Sequence, residues 1–131
     1  MLDGYNVTRD PRGRPAAGFD DQRRWLIGLA AGVHARFGVR VTIVFDGTDP
    51  VHLRGRRPRG VLVVYSSGEQ TADERIVEIL AAWPRDACVL VVTSDREVRE
   101  HAAALDADVA RSGAFLTAVE SSGRGAVTGR P

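Results

Sequence analysis

Four aspartates stand where apolar, β-branched runs end or helices begin: Asp3 in "MLDGYN", Asp46 in "VTIVFDG", Asp73 in "TADERIVEILAAW" and Asp95 in "VLVVTSDREV". Each has a plain structural use. Asp73 and Asp95 fall in first helical turns, where the helix dipole favours a carboxylate by about 0.3–1 kcal/mol, and Asp46 before Gly47 suits a turn. Together they suggest more. If the runs are strands of one parallel sheet, all four carboxylates meet at its carboxyl-terminal edge. Two carboxylates about 5 Å apart repel by roughly 3 kcal/mol at an effective dielectric near 20, and a divalent cation removes that conflict. Oxygen donors select a hard ion, Mg²⁺ or Mn²⁺, held by one or two protein carboxylates and otherwise by water. Such a site handles phosphate. The histidines, His34, His52 and His101, read as surface residues without zinc-site spacing, and no cysteine cluster accompanies them.

The acids need a sheet to hold them. "VRVTIVFDG", "GVLVVYSS" and "CVLVVTSD" are near-continuous in valine and isoleucine without polar alternation, which predicts strands covered on both faces, as in a parallel sheet. Helical segments lie between them. "DDQRRWLIGLAAGVHARF" places Trp25, Leu26, Leu29, Val33 and Phe37 on one recurring face, and Gly28 and Gly32 imply close packing of that helix. Thr71 with Glu74, and Ser94 with Glu97, have the spacing of capping boxes. "ADVARS" reads as an edge strand, and "GAFLTAVE" as the last helix.

This order indicates a three-layer α/β/α sandwich with a mainly parallel central sheet over residues 1–120, followed by a disordered tail over 121–131. The link from Gly47 to Arg59, about thirteen residues, is near the minimum for a parallel crossover. If the first strand is central, Asp3 and Asp95 flank the crevice where strand order reverses and ligands bind. Only Met1 and Leu2 precede Asp3, against the roughly five or six residues usual for a strand. We therefore expect the native protein to be longer at its amino end; otherwise Asp3 would hang from a frayed terminus.

Composition sets further bounds. At 131 residues, 44% hydrophobic and 27% charged, the chain reads as one soluble domain. No apolar run approaches the roughly 20 residues of a membrane span and no signal peptide is visible, so a cytoplasmic location without membrane association is expected. Cys88, in "ACVLVVT", is expected in the core. Every basic side chain is arginine. The lack of lysine excludes a lysine-bearing phosphate loop, Schiff-base chemistry and a receiver-type phosphoacceptor site, whereas arginine still binds phosphate in bidentate fashion.

At "DGYN", "VFDG", "TADE" and "VTSDREV", in that order and over about residues 3–116, the sequence resembles the YacP-like NYN family, a branch of the PIN-domain-like nucleases. The resemblance implies a PIN-like sandwich and a metal-dependent endoribonuclease using Mg²⁺ or Mn²⁺. It also implies single-stranded RNA as the partner, with ribosome or mRNA association. By position, Asp3, Asp73 and Asp95 correspond to the metal-binding acids. Asn6 corresponds to the first-motif asparagine, expected to orient the site or contact the scissile phosphate. Asp46 would be an outer carboxylate or a ligand to a second metal. Ser94 and Glu74 would stand just outside the metal site, although helix capping also accounts for both.

The implied reaction is hydrolysis of a phosphodiester by an activated water, with one metal or two. Arg9, Arg12 and Arg14 in "TRDPRGR", and Arg54, Arg56, Arg57 and Arg59 in "HLRGRRPRG", are expected to border the acids and grip the RNA backbone. Tyr5 would stack on a base or pack internally. The competing reading is a catalytically weak RNA-binding module that keeps the same fold.

Overall fold

The computed structural model describes residues 1–48, 58–84 and 86–128. Five strands, β1 (Leu2–Asp3), β2 (Val41–Phe45), β3 (Val61–Tyr65), β4 (Leu90–Val92) and β5 (Asp108–Ala110), form one sheet in the order β3-β2-β1-β4-β5, and every pairing is parallel. The helices are α1 (Gly4–Thr8), α2 (Phe19–Phe37), α3 (Ala72–Ala81), α4 (Arg96–Ala104) and α5 (Ser112–Thr128). None of them is long and apolar enough to cross a membrane, among the described residues.

Both faces of the sheet are covered, as the valine-rich runs require. Ile43 and Phe45 of β2, with Leu2 and Val92, pack against Val7 of α1, Leu26 and Ala30 of α2, and Leu116 of α5. The alternate residues Val44 and Val91 face the other way, onto Ile76 and Leu80 of α3 and Val98 and Ala102 of α4. Period-two alternation thus divides each apolar strand between two cores, giving the three layers.

β1 is two residues long yet central. Leu2 registers with Ile43 on one side and Val92 on the other, and Asp3 registers with Val44. Leu2 is thus held by both neighbours and Asp3 by β2, so Asp3 is not frayed.

Several local expectations are corrected. On α2 the fully buried residues are Gln22, Arg23, Leu26 and Ala30; Trp25, Leu29 and Val33 pack half-buried against the same core as expected, and of the expected face Phe37 is exposed. Gly28 and Gly32 meet no neighbouring atom within 4 Å, so they lie on the open side of α2. Cys88 is exposed, because β4 begins only at Leu90 and the cysteine stays in the preceding turn. α5 spans Ser112–Thr128 and so takes in residues 121–128 of the stretch whose small, polar composition suggests a disordered tail. The helix α1 follows β1 without a connecting loop; five residues show no periodicity that would have announced it.

Candidate active site

In a parallel sheet of order 3-2-1-4-5 the connections leave β1 and β4 in opposite directions, opening a crevice at their carboxyl ends. The predicted acids converge on it. Asp3 ends β1, Asp46 follows β2 directly, Asp95 lies three residues past the end of β4, and Asp73 sits in the first turn of α3. All four line one cleft of about 1010 Å³, together with Asn6 and Ser94.

Asp3 is the innermost, 6% exposed. Its Oδ2 accepts a hydrogen bond from Thr93 Oγ1 at 2.8 Å. Burial pushes its carboxyl up to about 7; the Thr93 hydroxyl pulls it down, and the charges of Asp73, Asp95 and Asp46 push it up further. Asp73 is also raised, first by burial and then by the charge of Asp95, to which it is hydrogen-bonded, with Asp46 and Glu97 adding to the push. Both shifts oppose ionisation, so a proton or a cation would be favoured beside Asp3 and Asp73.

The turn after β4 is built around Thr93, which is fully buried. Its hydroxyl bridges from Asp3 to the Asp95 amide, which donates at 3.1 Å. Asp95, rather than Ser94, caps α4: Asp95 Oδ1 accepts from the amides of Glu97 and Val98, so the expected Ser94–Glu97 box does not form. Ser94 Oγ instead accepts from the Ser112 amide at 3.2 Å. Of the Thr71–Glu74 pair the cap forms, the Glu74 amide donating to Thr71 Oγ1 at 3.1 Å, while the Glu74 carboxylate accepts from the Thr71 hydroxyl at 3.2 Å; Glu74 is exposed and outside the cleft lining.

Asn6 is committed on its oxygen side. Oδ1 accepts from the Ser94 amide at 2.8 Å and from Ser112 Oγ at 2.7 Å, tying α1 to the β4–α4 turn and the start of α5. Asp46 Oδ1 accepts from Ser66 Oγ and from the Ala72 amide, both at 3.1 Å, and so fixes the end of α3 that carries Asp73.

The arginines divide. Arg9 lines the cleft, with its guanidinium 5.4 Å from the Tyr5 ring centroid and 5.5 Å from that of Phe19. Arg12 and Arg14 do not line it; Arg14 lies over Trp25 at 5.0 Å. Arg59 precedes β3 and therefore occupies the amino-terminal edge of the sheet, opposite the acids. Arg54, Arg56 and Arg57 lie outside the described residues, as does His52.

Sequence reasoning missed Arg23, a buried cleft residue that donates to the Tyr5 hydroxyl at 2.5 Å and pairs with Asp20. It missed Thr93 and Ser112 as well. The signal for Arg23 was its spacing: Gln22 and Arg23 stand four and three residues before Leu26, so the buried stripe of α2 begins with polar side chains.

The donor set fits a hard divalent cation, because the described lining offers carboxylates and no imidazole or thiolate. Among the described residues no group of three or more His, Cys, Asp or Glu side chains is gathered closely enough to hold a metal ion. The acids line an open cleft.

The model of the YacP-like NYN domain matches residues 1–127. The chain is similar to two crystal structures of Rae1 (YacP) from Bacillus subtilis. One, a W164L mutant, is 29% identical with a TM-score of 0.77, covering 94% of this chain and 75% of that one. The other is 27% identical with a TM-score of 0.79, covering 94% and 74%. Comparison with curated proteins gives no match.

Proposed function

Because the chain belongs to the YacP-like NYN domain family, a nuclease-type family, we propose that it is a metal-dependent endoribonuclease hydrolysing phosphodiester bonds of single-stranded RNA in the cytoplasm. The observation that carries this reading is the meeting of Asp3, Asp46, Asp73 and Asp95 in one cleft, with Asp3 buried and its carboxyl displaced to about 7. A purely structural site has no reason to sustain such repulsion.

Asp3, Asp73 and Asp95 would hold Mg²⁺ or Mn²⁺. When bound, the ion eases deprotonation of the attacking water and offsets charge on the phosphate oxygens. The chain's own residues set the geometry. Thr93 holds Asp3 and Asp95 in register, Asp46 anchors the turn that presents Asp73, and Asn6 braces the β4–α4 turn from below α5. Arg9, exposed at the cleft, meets the RNA backbone as a bidentate cation. Water supplies the oxygen that joins phosphorus as the bond to the leaving ribose oxygen breaks, so no side-chain nucleophile is required.

The test uses labelled single-stranded RNA with Mg²⁺ or Mn²⁺, comparing the parent with Asp95→Asn. Asparagine is as good a helix cap as aspartate, so the variant keeps α4 while losing the charge. Cleavage by the parent and none by an equally stable variant supports the nuclease. Equal RNA binding without cleavage by either would make the protein an RNA-binding module.

A further inference from the structure

We propose that Phe19 is a nucleobase-stacking platform beside the acidic cluster, which makes the site select RNA with an unpaired base next to the phosphate it engages. This rests on the ribonuclease reading above and names how that site would choose its substrate.

Phe19 opens α2 and is 55% exposed; of the large exposed apolar side chains among the described residues, Phe37 and Leu62 included, it is the one that lines the cleft. It lines the same cleft as Asp3 and Asp73. It is also fixed in place. Tyr5, two residues after Asp3, meets it edge to face at a centroid distance of 5.2 Å and an interplanar angle of 67°. Tyr5 in turn rests on the fully buried Phe45 at 5.0 Å and accepts a hydrogen bond from Arg23. Arg9 covers Phe19 with its guanidinium while itself exposed.

The cleft thus has an aromatic ring packed on Tyr5 and an exposed cation beside it, adjoining the acids. A ring stacks on any base, because every base has a π face, and a neighbouring arginine takes the flanking phosphate. A base inside a duplex is already stacked on its neighbours and cannot reach the ring. The platform therefore separates single strands from helices without reading sequence.

The experiment measures binding of short single-stranded RNAs carrying one abasic position at a time, on an Asp73→Asn background that suspends cleavage. In that background one abasic position should weaken binding on the order of 10-fold. Adding Phe19→Ala should weaken binding of intact RNA by a similar factor and abolish the abasic effect. Phe19→Trp should retain both, Phe19→Leu should behave as alanine, and duplex RNA should be indifferent to all three. Undiminished binding by Phe19→Ala, or leucine matching tryptophan, overturns the platform while RNA cleavage by the parent leaves the ribonuclease standing. If the parent binds no RNA, both readings fall.

Discussion

Thr93 Oγ1 donates to Asp3 Oδ2 at 2.8 Å across 90 residues of sequence, with both residues buried. The same hydroxyl accepts from the Asp95 amide, so one oxygen spaces two of the three proposed metal acids. Thr93→Val keeps the shape but orphans the Asp3 carboxylate and the Asp95 amide. We expect a loss of about 1–3 kcal/mol in urea unfolding, a further rise in the pH at which Asp3 titrates, and weaker Mn²⁺ binding. Thr93→Ser should restore most of all three. Parental Mn²⁺ affinity in the valine variant would show that the bridge does not position the acids.

The displaced carboxyl of Asp3 fixes the sign of a pH effect. Its ordinary value is 3.8 and its folded value is about 7, so the folded chain keeps a proton that the unfolded chain releases. The contribution of Asp3 to stability is therefore complete below the lower value and is lost as pH rises through the folded one. At about 1.4 kcal/mol per unit, the loss amounts to at most about 4 kcal/mol. Asp73 acts in the same direction. Metal-free protein should be less stable at about pH 8 than Asp3→Asn, with the gap closing toward about pH 5. Mn²⁺, binding the ionised carboxylates, should stabilise the parent far more at the higher pH than at the lower. Thermal unfolding with and without the ion measures both, and a gap independent of pH would mean that Asp3 titrates normally.

Much of this arrangement was legible before any coordinates. Valine-rich runs imply strands covered on both faces, and parallel strands bring their following residues to one edge; those two facts suffice to gather Asp3, Asp46, Asp73 and Asp95. What could not be read depends on partners across the fold. Arg23 and Phe19 are adjacent in space to Tyr5, but nothing in "GFDDQRRW" announces which helix face Tyr5 will meet. Ser94 had the spacing of a cap, yet Asp95 took that position because Ser112 engages the serine from a helix 18 residues away. β3 runs parallel to β2, so Arg59, just before β3, lies at the edge opposite the acids. Loop direction over such a span is set by the topology, not by the loop's composition.

Asn6 supports a third expectation. Its Oδ1 is the acceptor for the Ser94 amide and for the hydroxyl of the fully buried Ser112. Asn6→Ala leaves the buried Ser112 hydroxyl without this acceptor while the exposed Ser94 amide turns to water, and unfolding stability should fall by about 1–2 kcal/mol. Amide exchange should accelerate at the start of α5 and in the β4–α4 turn before it does elsewhere. Asn6→Asp keeps an acceptor for both donors but adds a carboxylate to the acidic cleft. It should be milder at about pH 5 and lose that advantage toward about pH 8, where the added charge is opposed by Asp3 and its neighbours. Identical pH profiles for the two variants would mean that Asn6 does not sense the acids.

Gly4 links the backbone of the site to its core. A β-carbon there would come within 2.5 Å of Phe45 Cε1 and 3.0 Å of the Val44 carbonyl oxygen. Phe45 cannot retreat, because it is fully buried and lies between Tyr5, at 5.0 Å, and Tyr65, at 5.7 Å. Gly4→Ala therefore has to push β1 away from β2, and Asp3, the preceding residue, moves with it. We expect a stability loss of about 2–3 kcal/mol together with loss of Mn²⁺ binding. Phe45→Leu alone should destabilise by leaving space where the ring had been. In the double variant the new methyl enters that space, so the two losses should be strongly non-additive, with part of the Mn²⁺ affinity recovered. Simple additivity in a double-mutant cycle would show that the glycine is required by backbone conformation rather than by the approach of the ring.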